Sequence, residues 1–363
     1  MPHVSLTPPP IPPTIFDDFL CLPKAHGGGP ITTIEQWALK RADIHQRFLS
    51  ILGEFPATRP PAEPRTLEET RCEHYTRRRI TYAVEHDEEA EAWLLIPHRK
   101  SPHPAVLCLH GTRPDFKDQF VGLNLGPTNF SSQNLSHDLA VRGFVTLTPD
   151  HFCTGKRVPP EGHYHTDALY RRHPRWSAVG KALWDESAAI DVLSALPEVD
   201  PARIGCMGHS LGGHGTLFFA AYDPRIAVAV CCGGAVPWRA DSERMHWARD
   251  YWYRYFPLLR EGFLSGRVGT SDGVIVDMVE VATLIAPRPF LDLSALNDDN
   301  FGRECGTYLM DAWLRVGDVY ALHKAAGNFA YLAHRLGHGL PDFARACAIT
   351  WLERHLCRAG GEA

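Results

Sequence analysis

A serine stands between two glycines at Gly208-His209-Ser210-Leu211-Gly212. A serine hydroxyl attacks a carbonyl carbon usefully only when a base takes its proton and nearby donors receive the oxyanion that forms. Glycines two residues before and two after the serine leave room for a tight strand-to-helix turn in a strained backbone conformation, with the hydroxyl at its apex. The flanks fit such a turn: residues 204–207 are an apolar, strand-like run, and a helical pattern containing a further glycine, Gly213, follows. A chance Gly/Ser turn requires neither flank.

A nucleophile placed this way takes its partners in the chain order serine, acid, histidine. Residues 290–296 read as a strand that runs into Asn297-Asp298-Asp299-Asn300, so an acid lies just past a strand end. Asp298 is preferred and Asp299 competes with it. Asp292 lies inside the strand and is expected near a sheet edge or paired with an arginine. His338, between Gly337 and Gly339 just before the closing helix, is the expected base, with His334 as its rival among 20 histidines. The oxyanion donors are expected to be the amide of Leu211, which follows the nucleophile, and that of Thr112 in the loop His110-Gly111-Thr112. His110 is expected to support that loop.

The elements that must position these groups alternate along the chain. Thr32 and Glu35 have the spacing of a capping box ahead of a helix that ends at Gly53 and Pro56. A Pro-rich linker covers residues 57–65, and strands are expected at 75–84 and 90–96 with a turn at Asp87. Short continuous apolar runs at 105–109, 144–147, 203–207, 226–232 and 290–296 read as strands covered on both faces. Helical patterns at 135–141, 182–196, 211–222, 303–316 and 341–357 separate them, 328–333 is extended, and 151–176 reads as a long loop. The expectation is an α/β fold with a mostly parallel sheet and helices on both faces. Residues 1–65 form a Pro-rich arm and N-terminal helical extension, and 66–359 the main domain, interrupted by an aromatic-rich insertion at about 237–286. The insertion holds Trp238, Trp247, Tyr251, Trp252, Tyr253, Tyr255 and Phe256. Each such ring is expected more often to pack the insertion than to line a pocket.

The chain has 363 residues, 44% hydrophobic and 22% charged, with a formal net charge of -5 and no basic stripe, which argues against nucleic acid as a partner. It has no apolar run long enough to span a membrane, and its first residues lack the features of an export signal. The ten cysteines include Cys108, Cys206, Cys231 and Cys232 in central strand runs, so free thiols and a cytoplasmic location are expected. The prolines among residues 1–16 suit either an extended arm or a poorly ordered tail. Homo-oligomer contacts are expected from that arm and from the insertion.

Several stretches resemble the dienelactone hydrolase-like and acetyl xylan esterase-like branch of the α/β-hydrolases. They are VLCLHG at 106–111, LAVRGFVTLTPDHFCTGKR at 139–157, the segment 184–213 with its Val-Asp-Pro-Ala-Arg-Ile at 199–204, and Ala-Pro-Arg-Pro at 286–289. The helix with Trp37, Leu52 and Gly53 is similar to the N-terminal extension of the larger members. The resemblance implies the α/β-hydrolase fold and a serine carboxylesterase that cleaves esters of short acids, such as acetylated sugars, through an acyl-enzyme. The family's triad positions fall on Ser210, Asp298 and His338. The chain departs from the branch in Ala295 and the Asp298-Asp299 pair, and in having Ser210 where dienelactone hydrolases proper have cysteine. The expected partner is a small-molecule ester, and no metal or organic cofactor is required. An amidase or peptidase with the same triad is the alternative. A metal site at His151, His163, His165, His173 and Asp150 lacks a recognised ligand spacing. A non-catalytic binding protein on this fold would be expected to lack a triad member.

Overall fold

The computed structural model describes residues 19–22, 26–113, 116–124, 134–238, 245–265, 268, 275–300 and 305–357. Strands β1 (Arg65–Arg71), β2 (Tyr75–Glu85), β3 (Glu88–Pro97), β4 (His103–Leu109), β5 (Val145–Pro149), β6 (Val199–His209), β7 (Val228–Cys232), β8 (Phe290–Ala295) and β9 (Phe329–His334) form one sheet. Their order is β1-β2-β3-β5-β4-β6-β7-β8-β9. β1, β2 and β3 pair antiparallel, as do β3 and β5, and every pairing from β5 across to β9 is parallel. The helices are α1 (Ile34–Leu52), α2 (Phe116–Phe120), α3 (Leu135–Val141), α4 (Asp167–Arg172), α5 (Ala178–Ala195), α6 (Leu211–Tyr222), α7 (Met245–Ala248), α8 (Arg260–Leu264), α9 (Met278–Ala282), α10 (Cys305–Leu322) and α11 (Asp342–Leu356).

Successive strand residues point to opposite faces, and both faces are covered, which is why these strands read as unbroken apolar runs. In β4, Ala105, Leu107 and Leu109 join the core beneath α1, α5, α6, α9 and α10. Val106 and Cys108 join the opposite core, with Leu135 and Leu139 of α3 and the stripe Ala344, Ala348, Leu352 and Leu356 of α11. That stripe repeats every four residues, so one face of α11 lies on the sheet. Each buried leucine in it stabilises the fold by about 1.5–3 kcal/mol. The α/β-hydrolase architecture is thus present as expected. Among the described residues no helix is long and apolar enough to cross a membrane.

Three local expectations are corrected. The capping box sits one residue later: Thr33 Oγ1 accepts from the Gln36 amide at 3.3 Å, and Gln36 Oε1 accepts from the Thr33 amide at 3.2 Å. Adjacent threonines followed by Glu35 and Gln36 offer two registers, and sequence spacing does not choose between them. Strand β1 was not expected, because its sequence RTLEETR is charged. It lies at the sheet edge, where Glu69 and Glu68 pair with Arg78 and Arg79 of β2. Charges on an edge strand also discourage pairing with another chain. Helix α5 starts four residues earlier than expected, capped by Ser177, whose Oγ accepts from the Gly180 amide at 2.9 Å. Lys181, in the first turn of this helix, is a buried side chain held by Glu85, Glu88 and Asp185. The Pro-rich residues 1–16 and Arg303 lie outside the described residues.

Candidate active site

β6 ends at His209, and α6 begins at Leu211. Ser210 between them has φ 60° and ψ -118°, a conformation costly for a residue with a Cβ. The turn exists because its flanks are bare. A Cβ on Gly208 would lie 2.2 Å from the Gly212 carbonyl oxygen, and one on Gly212 would lie 2.0 Å from the Leu109 carbonyl oxygen. The Ser210 amide donates to the Cys232 carbonyl at 2.9 Å, which ties the apex to β7.

His338 Nε2 lies 2.7 Å from Ser210 Oγ, and His338 Nδ1 lies 2.7 Å from Asp298 Oδ2. A carboxylate can only accept, so Nδ1 carries the proton and Nε2 is left to accept from the serine hydroxyl. Asp298 is buried, and its other oxygen accepts from the Asn300 amide at 2.9 Å, while Asp299 is exposed. The two loops are pinned together: Asn297 Oδ1 accepts from the Gly337 amide at 3.2 Å, and the Leu296 amide donates to the His334 carbonyl at 2.7 Å. The rival His334 makes no part of this chain; its Nδ1 accepts from the Leu336 amide and its ring meets Phe343 edge-on. Serine, acid and histidine therefore meet at the carboxyl ends of parallel strands β6, β8 and β9, where ligands of such sheets bind.

Leu211 is the first residue of α6, and the first amides of a helix have no acceptor within it. Its amide is thus available beside Ser210. Thr112 lies three residues beyond β4, exposed, in a loop fastened from behind. Tyr164 Oη is 2.8 Å from the Gly111 carbonyl oxygen and 3.1 Å from that of Arg113. His110 supports the same loop: its Nδ1 lies 2.8 Å from the Gly111 carbonyl oxygen, and its Nε2 accepts from the His151 amide. Nothing in the local sequence marks Tyr164 for this task. The signal is tertiary, a fully buried tyrosine with positive φ in a loop otherwise rich in polar residues.

His209, immediately before the nucleophile, is also buried, with its ring centroid 5.2 Å from that of His338. Burial pushes its imidazole down to about 3, so it packs beside the triad as a neutral ring. The loop after β5 is strapped down by buried charges. Arg157 pairs with Glu88 and Asp185, and Lys117 pairs with Glu91 and Asp150.

The histidines considered as metal ligands do not converge. His151 Nε2 meets Tyr253 Oη at 3.1 Å, His173 pairs with Glu85 and stacks on Trp176, and Asp150 is taken by Lys117. Most rings of the insertion pack rather than face solvent. Trp238, Trp247, Tyr255 and Phe256 are buried against one another and against His214 and Phe218 of α6. Tyr251 is exposed.

Asp292 is corrected. It is neither at an edge nor paired with arginine, but fully buried on β8, where Trp313 Nε1 donates at 2.9 Å and Ser294 Oγ at 2.8 Å. Burial raises its carboxyl to about 7, against those hydrogen bonds, which lower it. A carboxyl raised on folding makes the folded state bind the extra proton, so its contribution to stability is lost as pH rises from about 4 to about 7. Asp292→Asn removes the charge and keeps an acceptor. The variant is expected to gain stability relative to wild type across that window, by a few kcal/mol, on the order of 4, above it. Urea unfolding of both proteins at pH 5 and pH 8 measures this, and parallel pH dependences would refute it.

Residues 94–319 match the family model described as "Glucuronyl esterase, fungi". YtaP of Bacillus subtilis (strain 168), whose name calls it a hydrolase, is 27% identical over 318 residues, 87% of this chain and 100% of its own length. A glucuronoyl esterase from Solibacter usitatus superposes with a TM-score of 0.72 at 18% identity, covering 95% of this chain and 98% of its own. A Bacteroides fragilis NCTC 9343 protein described as an acetyl xylan esterase superposes with a TM-score of 0.63 at 15% identity, covering 83% of this chain and 76% of its own. At such identities the superpositions speak for the fold.

Proposed function

The chain belongs to the glucuronyl esterase family and is a carboxylic ester hydrolase of the α/β-hydrolase type, and on that premise we propose that Ser210 is its nucleophile toward short carboxylic esters of carbohydrates. The observation that carries this reading is the unbroken hydrogen-bonded chain from Ser210 Oγ through His338 to Asp298, two contacts of 2.7 Å.

The proposed reaction has two halves, acylation and deacylation of Ser210. Ser210 Oγ attacks the ester carbonyl carbon as His338 Nε2 takes the hydroxyl proton. Asp298 holds the ring in the required tautomer and stabilises its positive charge. The amides of Leu211 and Thr112 receive the oxyanion. His338 then gives the proton to the departing alcohol oxygen, leaving an acyl-enzyme on Ser210. Water, deprotonated by His338, attacks that ester, and collapse frees the acid and restores the serine. The family match favours ester over amide cleavage. The described cysteines are free thiols, several of them buried in central strands, which supports the cytoplasm as the working compartment.

The test is a p-nitrophenyl ester series from acetate to octanoate, set beside acetylated sugars, methyl glucuronate and matched anilides. Turnover is expected to fall as the acyl chain lengthens and to be at least about a thousandfold slower for the anilides. Equal rates on anilides would overturn the ester reading, and a preference for octanoate would overturn the short-acyl reading.

A further inference from the structure

Beneath the elbow, between α5 and α6, lies a cavity of about 40 Å3. Its walls include Leu109 and His110 from the end of β4, and Leu211 and Gly212 from the start of α6. Leu211 and Gly212 follow Ser210 directly in the chain, so the cavity adjoins the first turn of the elbow helix. The walls are mostly apolar, with a few polar side chains among them. Tyr82 of β2 and Glu186 of α5 both line the cavity, and both are more than nine-tenths buried. Neither Tyr82 Oη nor Glu186 Oε2 has a hydrogen-bond partner among the described residues. Leaving such atoms unsatisfied costs roughly 1–3 kcal/mol each, so the cavity is built to hold something that hydrogen-bonds.

Two neighbouring polar side chains are engaged with groups outside this pair. Asp185 is held by Arg157 and Lys181, and His151 by Tyr253. Burial keeps the Glu186 carboxyl well above the usual carboxylate range, so it is protonated and, like the tyrosine hydroxyl, both donates and accepts. The complement of two such groups is an uncharged group with the same dual character, namely a hydroxyl. Size sets the rest. A water needs roughly 10–15 Å3 of such space, so the cavity takes about three water-sized groups.

We propose that this cavity is an acyl subsite, and that Glu186 and Tyr82 select short acyl groups carrying a hydroxyl at their far end. The proposal rests on the esterase reading and narrows its substrate to esters of small hydroxy acids.

The experiment measures kcat/KM by proton release for two isosteric pairs of methyl esters: glycolate against propionate, and 3-hydroxypropionate against butyrate. Because hydroxy esters differ from alkyl esters in intrinsic reactivity, the readout is the hydroxy-to-alkyl ratio in each variant relative to wild type. Glu186→Leu is expected to lower that ratio at least about tenfold, with the alkyl esters cleaved within about threefold of wild type. Glu186→Gln, which still donates and accepts, is expected to keep the ratio. Tyr82→Phe, which removes only a hydroxyl, is expected to lower it in the same direction, and it serves if Glu186→Leu does not fold. An unchanged ratio in the folded variants, with alkyl esters still cleaved, would overturn the subsite and leave a water-filled void. Failure of wild type to cleave any ester would instead overturn the esterase reading, and the subsite with it.

Discussion

Ser210→Ala is expected to lower kcat/KM for every ester by between about ten-thousandfold and a millionfold. The substitution removes the one oxygen that can form the acyl-enzyme. It leaves the oxyanion amides and the His338–Asp298 pair in place, so a small residual rate over water remains. It also leaves the fold, because alanine keeps the Cβ and loses only the 2.7 Å contact to His338. Ser210→Gly separates strain from chemistry. At φ 60° glycine relieves a conformation that costs of order 1–3 kcal/mol, so this variant should be equally inactive yet more stable than Ser210→Ala. Esterase rates and thermal melts of the three proteins give both readouts. An alanine variant with a tenth of wild-type activity would mean that another group is the nucleophile.

Asp298→Asn is expected to lower kcat by about ten-thousandfold, and Asp299→Asn by no more than about threefold. The reason is the tautomer. An asparagine at 298 can present its NH2 to His338 Nδ1, which favours the ring form with its proton on Nε2, and that form cannot accept from Ser210. Asp299 is exposed and has no contact with the imidazole, so its loss should pass almost unnoticed. Rates for the two variants on p-nitrophenyl acetate measure the contrast. The opposite ranking would move the acid to Asp299 and require the loop 297–300 to rearrange on binding substrate.

These two predictions and the hydroxy-ester test concern different parts of one sheet edge. In the proposed reaction the chain Ser210–His338–Asp298 decides whether a carbonyl is attacked. The cavity behind Leu211 bears on which acyl group places its carbonyl there. The ionic straps at Arg157 and Lys117 fix the loop after β5 that forms part of the cavity wall. Rigid support of this kind matters because misplacing a reacting group by about 1 Å can cost a hundredfold in rate.

The sequence determined more of the framework than of the environment. The apolar runs and helical stripes fixed the parallel strands and the long helices, because a strand covered on both faces must be apolar throughout and a helix on a sheet must be apolar on one face. The glycines around Ser210 announced the elbow, since that turn tolerates no Cβ at either position. What spacing left open was settled by contact. Asp298 and Asp299 are chemically identical neighbours, and only the fold decides which is buried against His338. Lys181, in the first turn of α5, and the charged strand β1 carry no apolar signal in the sequence, because both are held by ion pairs to other elements of the fold. Tyr164 behind the Thr112 loop, and Tyr82 and Glu186 in the cavity, carry no motif at all. Tyr164 acts through two carbonyls distant in the chain, and Tyr82 and Glu186 through burial and hydrogen-bonding atoms without a partner among the described residues, all of which exist only once distant segments have packed together.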